Sequence, residues 1–322
     1  MLDFAAKCDI IGCREKPLGI SVHRRQLSLT MAEICEYEGD YYSRFWKGRD
    51  YEDLAERIAL RKLLPPAGER LIELGAGFGR LADLYAGYGQ VVLLDYSKSM
   101  LRQAQERLGG DDRYVYVAAS LYELPFVDAL FETAVTVRVL HHVRDIPRAL
   151  GEIQRALAPG GAYVLEYANK RHLKAILRYL LRRQGWSPFS AEPYEFVALN
   201  YDFHPAWMAA RLREAGFAIE GELAVSFFRI PFLKRLVSPR LLAALDGLLQ
   251  GPMAPLKLAP SVFVRARAEK EGLQAGGRGF FRCPSCRGTD LIEAEEVLTC
   301  RGCGRGWAID DGIYNFKEPV AP

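Results

Sequence analysis

RLIELGAGFGR (residues 70–80) passes from a short apolar run into glycines at positions 75, 77 and 79, and VVLLD (residues 91–95) repeats the apolar run and ends on an acid. Glycine is needed where backbone turns tightly or approaches a ligand with no Cβ in the way. Between a strand and a helix such a turn lies at the C-terminal edge of an open α/β sheet, where ligands bind. Asp95 follows Gly75 by 20 positions, and a carboxylate there can accept hydrogen bonds from both hydroxyls of a ribose. The dinucleotide pattern G-x-G-x-x-G is not met, because its third glycine position is Arg80. The spacing is G-x-G-x-G with Glu73 two residues ahead, and it predicts a nucleoside-type ligand.

Outward from this loop, strands and helices alternate. A helix is expected within GFGRLADLYAGYG, and SKSMLRQAQERL predicts one with Met100, Leu101, Ala104 and Leu108 on its apolar face. YVYVAA, LFETAVTV and GAYVLEY read as strands, with helix DIPRALGEIQRAL before Pro159-Gly160-Gly161. The pattern predicts an α/β fold, a parallel sheet with helices on both faces. Its unbroken apolar runs suit strands buried on both sides. Upstream, Leu54, Ile58, Leu63 and Leu64 predict an amphipathic helix stopped by Pro65-Pro66. Downstream come helix PAWMAARLREAG, strand FAIEGELAV and last strand SVFVRAR.

The 322 residues allow one large domain and a small one. Residues 1–30 read as a leader, flexible or upstream of the native start; 31–268 form the main domain, with cap insertions at about 170–204 and 227–260. Residues 269–279 read as a linker and 280–322 as a zinc ribbon. No secretory signal and no membrane-spanning run is evident, which points to the cytoplasm. A net charge of +3 gives no strong nucleic-acid signal. Cys8, Cys13 and Cys35 have no ligand-like spacing and read as ordinary thiols. The oligomeric state is not legible.

The stretch from Arg70 to Tyr167 resembles the class I S-adenosylmethionine-dependent methyltransferases, in particular the group that includes ubiquinone/menaquinone-biosynthesis enzymes. ELGAGFG, LLDYSKSML, SLYELPF, VLHHV and LAPGG match that group's pattern in order. The resemblance implies a Rossmann-like methyltransferase sheet and S-adenosylmethionine as cofactor. Glu73, Gly75, Ala76, Gly77 and Gly79 would line its methionine part, Asp95 would bind the ribose, and Tyr96 and Met100 would flank the adenine. Ser120 stands where the family often has Asp, so adenine recognition would lean on the Leu121 backbone; Arg138 would sit near the methionine moiety. Met100 suits a plain core position as well, and Arg138 a surface charge at a strand end.

Methyl transfer needs mainly positioning, and a general base only where the acceptor must lose a proton. Candidates are His142, beside His141, after the fourth strand, Glu166 and Tyr167 after the fifth, and His204 in NYDFHP. Each has a structural alternative; His204 before Pro205 suits a helix start. Tyr41, Tyr42, Phe45, Trp46 and Tyr51 either fold over the cofactor or pack as a leader. KRHLKAILRYLLRR sets Leu173, Ile176, Leu177, Leu180 and Leu181 on one stripe among six Lys and Arg residues. A solvated face over a buried stripe, a peripheral membrane contact and an anionic-substrate site all fit it. The second insertion, FFRIPFLKRLV with LLAALDGLL, reads as a cap over a pocket for a small, hydrophobic methyl acceptor. An RNA or protein acceptor, with the ribbon aiding recognition, is the alternative.

Cys283-Pro-Ser-Cys286 and Cys300-Arg-Gly-Cys303 are 13 residues apart. Two such knuckles bring four thiolates to one tetrahedral Zn²⁺ in a closed, structural site, and metal binding would fold a segment too small for its own core. LTCRGCGRGWAIDDGIYNF resembles the small zinc-ribbon partner subunit of tRNA and translation-factor methyltransferases. That resemblance implies a strand near the end of the tail docking on the catalytic domain.

Overall fold

The computed structural model describes residues 46, 48–272 and 279–320. The expected leader, Cys8, Cys13, Cys35, Tyr41, Tyr42, Phe45 and part of the linker lie outside the described residues.

Helix α1 (Asp50–Leu63) precedes the sheet. Strands β1 (Gly68–Leu74), β2 (Tyr88–Asp95), β3 (Tyr114–Ala118), β4 (Phe131–Thr136) and β5 (Leu157–Ala168) pair in parallel in the order β3-β2-β1-β4-β5. Helix α2 (Lys98–Leu108) starts at Ser97, whose hydroxyl accepts from the Met100 amide, and α3 (Ile146–Ala156) at Asp145, which accepts from Arg148. Such caps satisfy amides that the first helical turn leaves open. As expected, Met100, Leu101 and Ala104 are buried on α2. Beyond β5 the chain forms α4 (Leu173–Leu180), a hairpin of β6 (Tyr194–Val197) and β7 (Asn200–Asp202), and α5 (Pro205–Glu214). Next come β8 (Phe217–Val225), α6 (Pro231–Leu236), α7 (Pro239–Leu249) and β9 (Ser261–Ala268). β9 pairs antiparallel with both β5 and β8 and completes that side of the sheet. Two apolar clusters cover its two faces. Both insertions therefore leave the sheet at one edge, the edge that also carries the glycine loop.

Two expectations are corrected. No α-helix follows the glycine loop; Ala82–Tyr85 form a single 3-10 turn. The segment ends at Gly87, where a Cβ would meet the Pro66 carbonyl at 2.1 Å, so the chain is pinned before a second turn can form. α1 packs beside this turn, and Arg57 ties it down by accepting no bond but donating to Asp83 at 2.8 Å and to the Arg80 carbonyl. The second correction concerns α1 itself. It spans the expected residues, but its buried face is Tyr51, Glu52, Ala55, Glu56, Ala59, Leu60 and Leu63, while Leu54 and Ile58 are only half-buried.

The last four strands are β10 (Leu291–Ala294), β11 (Val297–Cys300), β12 (Gly306–Asp310) and β13 (Ile313–Val320). β13 runs parallel to β3, with Ile313 beside Tyr116 and Asn315 beside Ala118, making one continuous eleven-stranded sheet. The ribbon shares its core with the large domain. Phe281 stacks on Phe126 at 5.8 Å and meets Tyr314 and Phe316 at 4.6 and 5.0 Å. Aromatic pairs of this kind add about 0.5–1.5 kcal/mol each beyond area burial.

Candidate active site and metal centre

The glycine loop turns as its residue types demand. Gly75, Gly77 and Gly79 all have positive φ, and a Cβ on Gly75 would meet Val139 Cγ2 at 2.1 Å. The Gly77 amide donates to Asp95 Oδ2 at 2.8 Å and the Ser97 amide to Oδ1 at 2.9 Å, so the Asp95 carboxylate is held at the mouth of the loop. Glu73 lies beneath it, 3% exposed, beside the buried Tyr85 hydroxyl and outside any ion pair among the described residues. Burial pushes the Glu73 carboxyl up to about 8; Arg80 and the hydrogen bond with Tyr85 oppose the shift, and the negative charge of Asp95 adds to it. A ligand cation beside it would favour its ionised form.

Ala76 is buried, Met100 is 2% exposed on α2, and the Ser120 hydroxyl accepts from the Tyr122 amide within its own loop. Leu121 packs against the core. The ribbon reaches this end of the site: Lys317 Nζ lies 4.2 Å from the Tyr96 ring centroid, and Lys98 pairs with Asp310 at 2.8 Å.

On the other side Arg138 sits in a left-handed conformation, φ 59°, two residues past the β4 end. Its amide donates to Glu166 Oε2 at 3.0 Å and its Nε to Glu56 Oε1 at 2.6 Å. Arg80 donates to Glu56 Oε2 at 2.9 Å and also pairs with Asp53. Both guanidinium groups lie against Trp46, at 3.8 and 4.9 Å from its ring centroid. Burial alone would raise the carboxyl of fully buried Glu56, but Arg138 and Arg80 outweigh it and hold it below the ordinary range. Arg138 is thus part of a buried charge network rather than a surface charge.

His141 and His142 stand in a 3-10 turn after β4 with ring centroids 4.0 Å apart. His142 Nδ1 is 2.9 Å from the Leu199 carbonyl. A carbonyl only accepts, so the hydrogen belongs on Nδ1 and Nε2 is the basic atom. Burial lowers both imidazoles, with His142 adding to the effect on His141. Glu166, 3% exposed, faces the same edge. Tyr167 and His204 stand elsewhere. Tyr167 is 1% exposed within the hydrophobic core, and His204 caps α5, its Nδ1 accepting from the Ala206 amide at 3.2 Å. A candidate proton acceptor missed in the sequence is Asp202 at the end of β7: burial raises it to about 6, Glu166 adds to the shift, and Arg178 and Lys170 oppose it. Its only local sign is its place in NYDFHP, two residues before His204; the burial that raises it is not legible there. Glu56 was missed because a helix periodicity reading counts apolar residues only.

In the ribbon, the sulfurs of Cys283, Cys286, Cys300 and Cys303 lie within 4.8 Å of one another. Cys283 and Cys303 are 3.7 Å apart, Cys286 and Cys300 3.5 Å. Thiolates at ~2.3 Å from a tetrahedral centre are ~3.8 Å apart, so the cluster has the size a zinc ion requires. Among the described residues no helix is long and apolar enough to cross a membrane.

Comparison with known proteins agrees with this geometry. The family model "Methyltransferase domain" matches residues 72–165. A demethylmenaquinone methyltransferase of Clavibacter sepedonicus is 32% identical over 169 residues, which cover 49% of this chain and 69% of that protein. The chain spans about two thirds of the length of the curated relatives it matches. Among solved structures, an S-adenosylmethionine-dependent methyltransferase of Thermotoga maritima shares the fold at a TM-score of 0.52 and 20% identity, over 71% of this chain and 96% of that one. A chain of the complex between the Haloferax volcanii Trm112 methyltransferase activator and a methyltransferase does so at 0.50 and 16%, over 72% and 95%. With the glycine loop, the anchored Asp95 and the strand order in agreement, the chain belongs to the class I S-adenosylmethionine-dependent methyltransferases.

Proposed function

We propose that this methyltransferase acts on a small, hydrophobic, quinone-like acceptor, and that its zinc ribbon is a structural extension of the catalytic sheet. The donor end rests on one observation above others, the Glu73 carboxyl buried beside Asp95 outside any ion pair among the described residues. Glu73 would take the α-ammonium of the methionine moiety, Asp95 the ribose hydroxyls, and Tyr96, Met100, Ser120 and Leu121 would frame the adenine. Gly75, Gly77 and Gly79 leave room for the backbone to approach. Arg138, fixed between Glu56 and Glu166, would position the methionine end.

When bound, the donor supplies a methyl group on a sulfonium; the acceptor–carbon bond forms as the sulfur–carbon bond breaks, and the electron pair stays on sulfur. The protein's share is alignment and water exclusion. A proton leaving the acceptor has three takers at this edge: Asp202, Glu166 and Nε2 of His142. Tyr167 and His204 drop out of the acid–base set, since one is core and the other is spent on a helix cap. The quinone-like class follows from the acceptor named for the Clavibacter sepedonicus relative and from the apolar insertions at this edge. Incubation with methyl-labelled donor and a demethylated naphthoquinone held in its reduced quinol form by added reductant should label the ring, and Asp95→Ala should abolish the labelling. Label appearing only in RNA or protein would overturn the acceptor assignment.

The four cysteines would hold one Zn²⁺, which stabilises the two knuckles and takes no part in the transfer, because thiolates fill every position. Metal analysis of the purified chain should return about one zinc per chain. Chelation should unfold the ribbon and expose the β3 edge; a metal-free chain with intact ribbon signals would refute the role.

A further inference from the structure

The leucine stripe of α4 is open to solvent. Leu173, Leu177, Leu180 and Leu181 are 49, 49, 65 and 62% exposed, and only Ala175 is buried on that helix. The second insertion behaves alike, with Ile230, Phe232, Leu236 and Leu256 at 47, 67, 68 and 49%. The two insertions meet: the Leu173 amide donates to the Leu258 carbonyl at 2.9 Å, and Arg229, just before α6, acts electrostatically on His172, the cap of α4. Their charge is as unusual as their exposure. Residues 169–191 hold six Lys and Arg and no acid; residues 227–260 hold five and one acid, Asp246, which is fully buried. With a chain total of +3, the rest of the molecule is net negative. Lys234 and Lys257 are paired with Glu52 and Glu222, but no ion pair joins Lys174, Arg182, Arg183, Arg235 or Arg240 to an acid among the described residues.

We propose that these two insertions form a surface that seats on an anionic lipid bilayer, with the leucines and Phe232 entering the headgroup–acyl boundary and the cations lying on the lipid phosphates. The charge decides the occupant. A helix with an apolar face and a polar face that is basic throughout has the composition of an interfacial helix, and long cationic side chains can bury their stems while the heads stay at the phosphates. A protein partner would need an acidic surface spread over both insertions, whereas an anionic leaflet offers it everywhere. Both insertions leave the sheet at the edge that holds Glu166 and Asp202, so seating would bring the acceptor end of the site to the membrane. This deepens the reading of a hydrophobic acceptor and rests on it for its purpose, not for its evidence.

The test is flotation of the full chain with phosphatidylcholine vesicles, with and without phosphatidylglycerol. Binding should require the anionic lipid and fall steeply with salt, each cation near the surface contributing roughly fivefold. Leu177→Glu with Leu180→Glu, and separately Phe232→Glu with Leu236→Glu, should each lower partitioning roughly tenfold or more. Arg182→Gln with Arg183→Gln should weaken the preference for phosphatidylglycerol. Failure of the wild-type chain to float with anionic vesicles overturns the proposal, as does a dimer in light scattering that the Leu177 and Leu180 changes dissociate. Methylation of a water-soluble quinone analogue separates the two readings. Its persistence without vesicle binding sinks only the membrane surface, and its absence with vesicle binding intact sinks only the acceptor class.

Discussion

Helices α1 and α4 reverse each other. α1 buries two glutamates, and α4 with its C-cap Leu181 exposes four leucines. A helical wheel predicts the opposite for both. What differs is the company each keeps. Glu56 meets Arg80 and Arg138, and Glu52 meets Lys234, so a carboxylate on the inner face of α1 has its partners at hydrogen-bond distance. Among the described residues, nothing apolar is laid over the α4 stripe. Burial is decided by the partner that the fold supplies, and sequence periodicity reports only one side of that contact.

The contrast can be broken most sharply at Glu56. Glu56→Ala takes the shared acid from Arg138 and Arg80, leaving Arg80 only Asp53, and removal of one member of a buried pair costs about 3–5 kcal/mol. Chemical denaturation should show a loss of that size, together with weaker cofactor binding; a loss below about 1 kcal/mol would mean that the network is solvated. Because the Glu56 carboxyl is held low, its contribution is present above the ordinary carboxylate range and is lost only as pH falls through its depressed value.

Next in size is Asp95. If it holds the ribose as proposed, replacing it by Ala would remove two charge-assisted hydrogen bonds worth about 3 kcal/mol together, so calorimetry should record roughly a hundredfold loss of S-adenosylmethionine affinity. An unchanged affinity would remove Asp95 from the site.

A third experiment sets Glu73 against Glu56, a buried acid outside any ion pair against one paired with two guanidinium groups. Glu73 is raised to about 8, so it is largely protonated in the free protein near neutral pH, whereas a bound ammonium favours its ionised form. Donor affinity should therefore rise with pH from 6 towards 8, by up to about tenfold per unit, with proton release on binding. Glu73→Gln should flatten that slope; a wild-type slope of zero would contradict the assigned contact.

The smallest effect is expected on α4. Leu177→Glu with Leu180→Glu should change thermodynamic stability by no more than about 0.5 kcal/mol, as for ordinary surface positions. A loss of several kcal/mol would show that the stripe is buried after all.

The glycine turn, Asp95, the parallel sheet and the paired cysteines were legible because each is local or periodic. Positive φ at Gly75, Gly77 and Gly79 follows from residue type, and the cysteine spacing fits a single ion. His142 was legible as a candidate because it follows β4; Glu166, expected after the fifth strand, lies inside β5 near its ligand-edge end. Asp202, Glu56 and the exposure of α4 were not. Asp202 acquires its raised carboxyl from burial beside Glu166, 36 positions earlier in the chain. The 3-10 turn after the glycine loop likewise depends on how close Gly87 comes to Pro66.

The sequence by itself determined the chemistry available: a nucleoside-binding turn with its acid, a helix-covered parallel sheet, and four thiols spaced for one metal. Only the tertiary structure decided how those parts are used. It joined β13 to β3, so that ribbon and catalytic domain share one sheet, and it brought Lys317 onto Tyr96. It buried the acids of α1 and left the leucines of α4 in the open. The reason is physical: spacing and residue type act within a few positions, whereas hydrogen-bond partners, desolvation and the covering of an apolar face depend on residues far away in the chain.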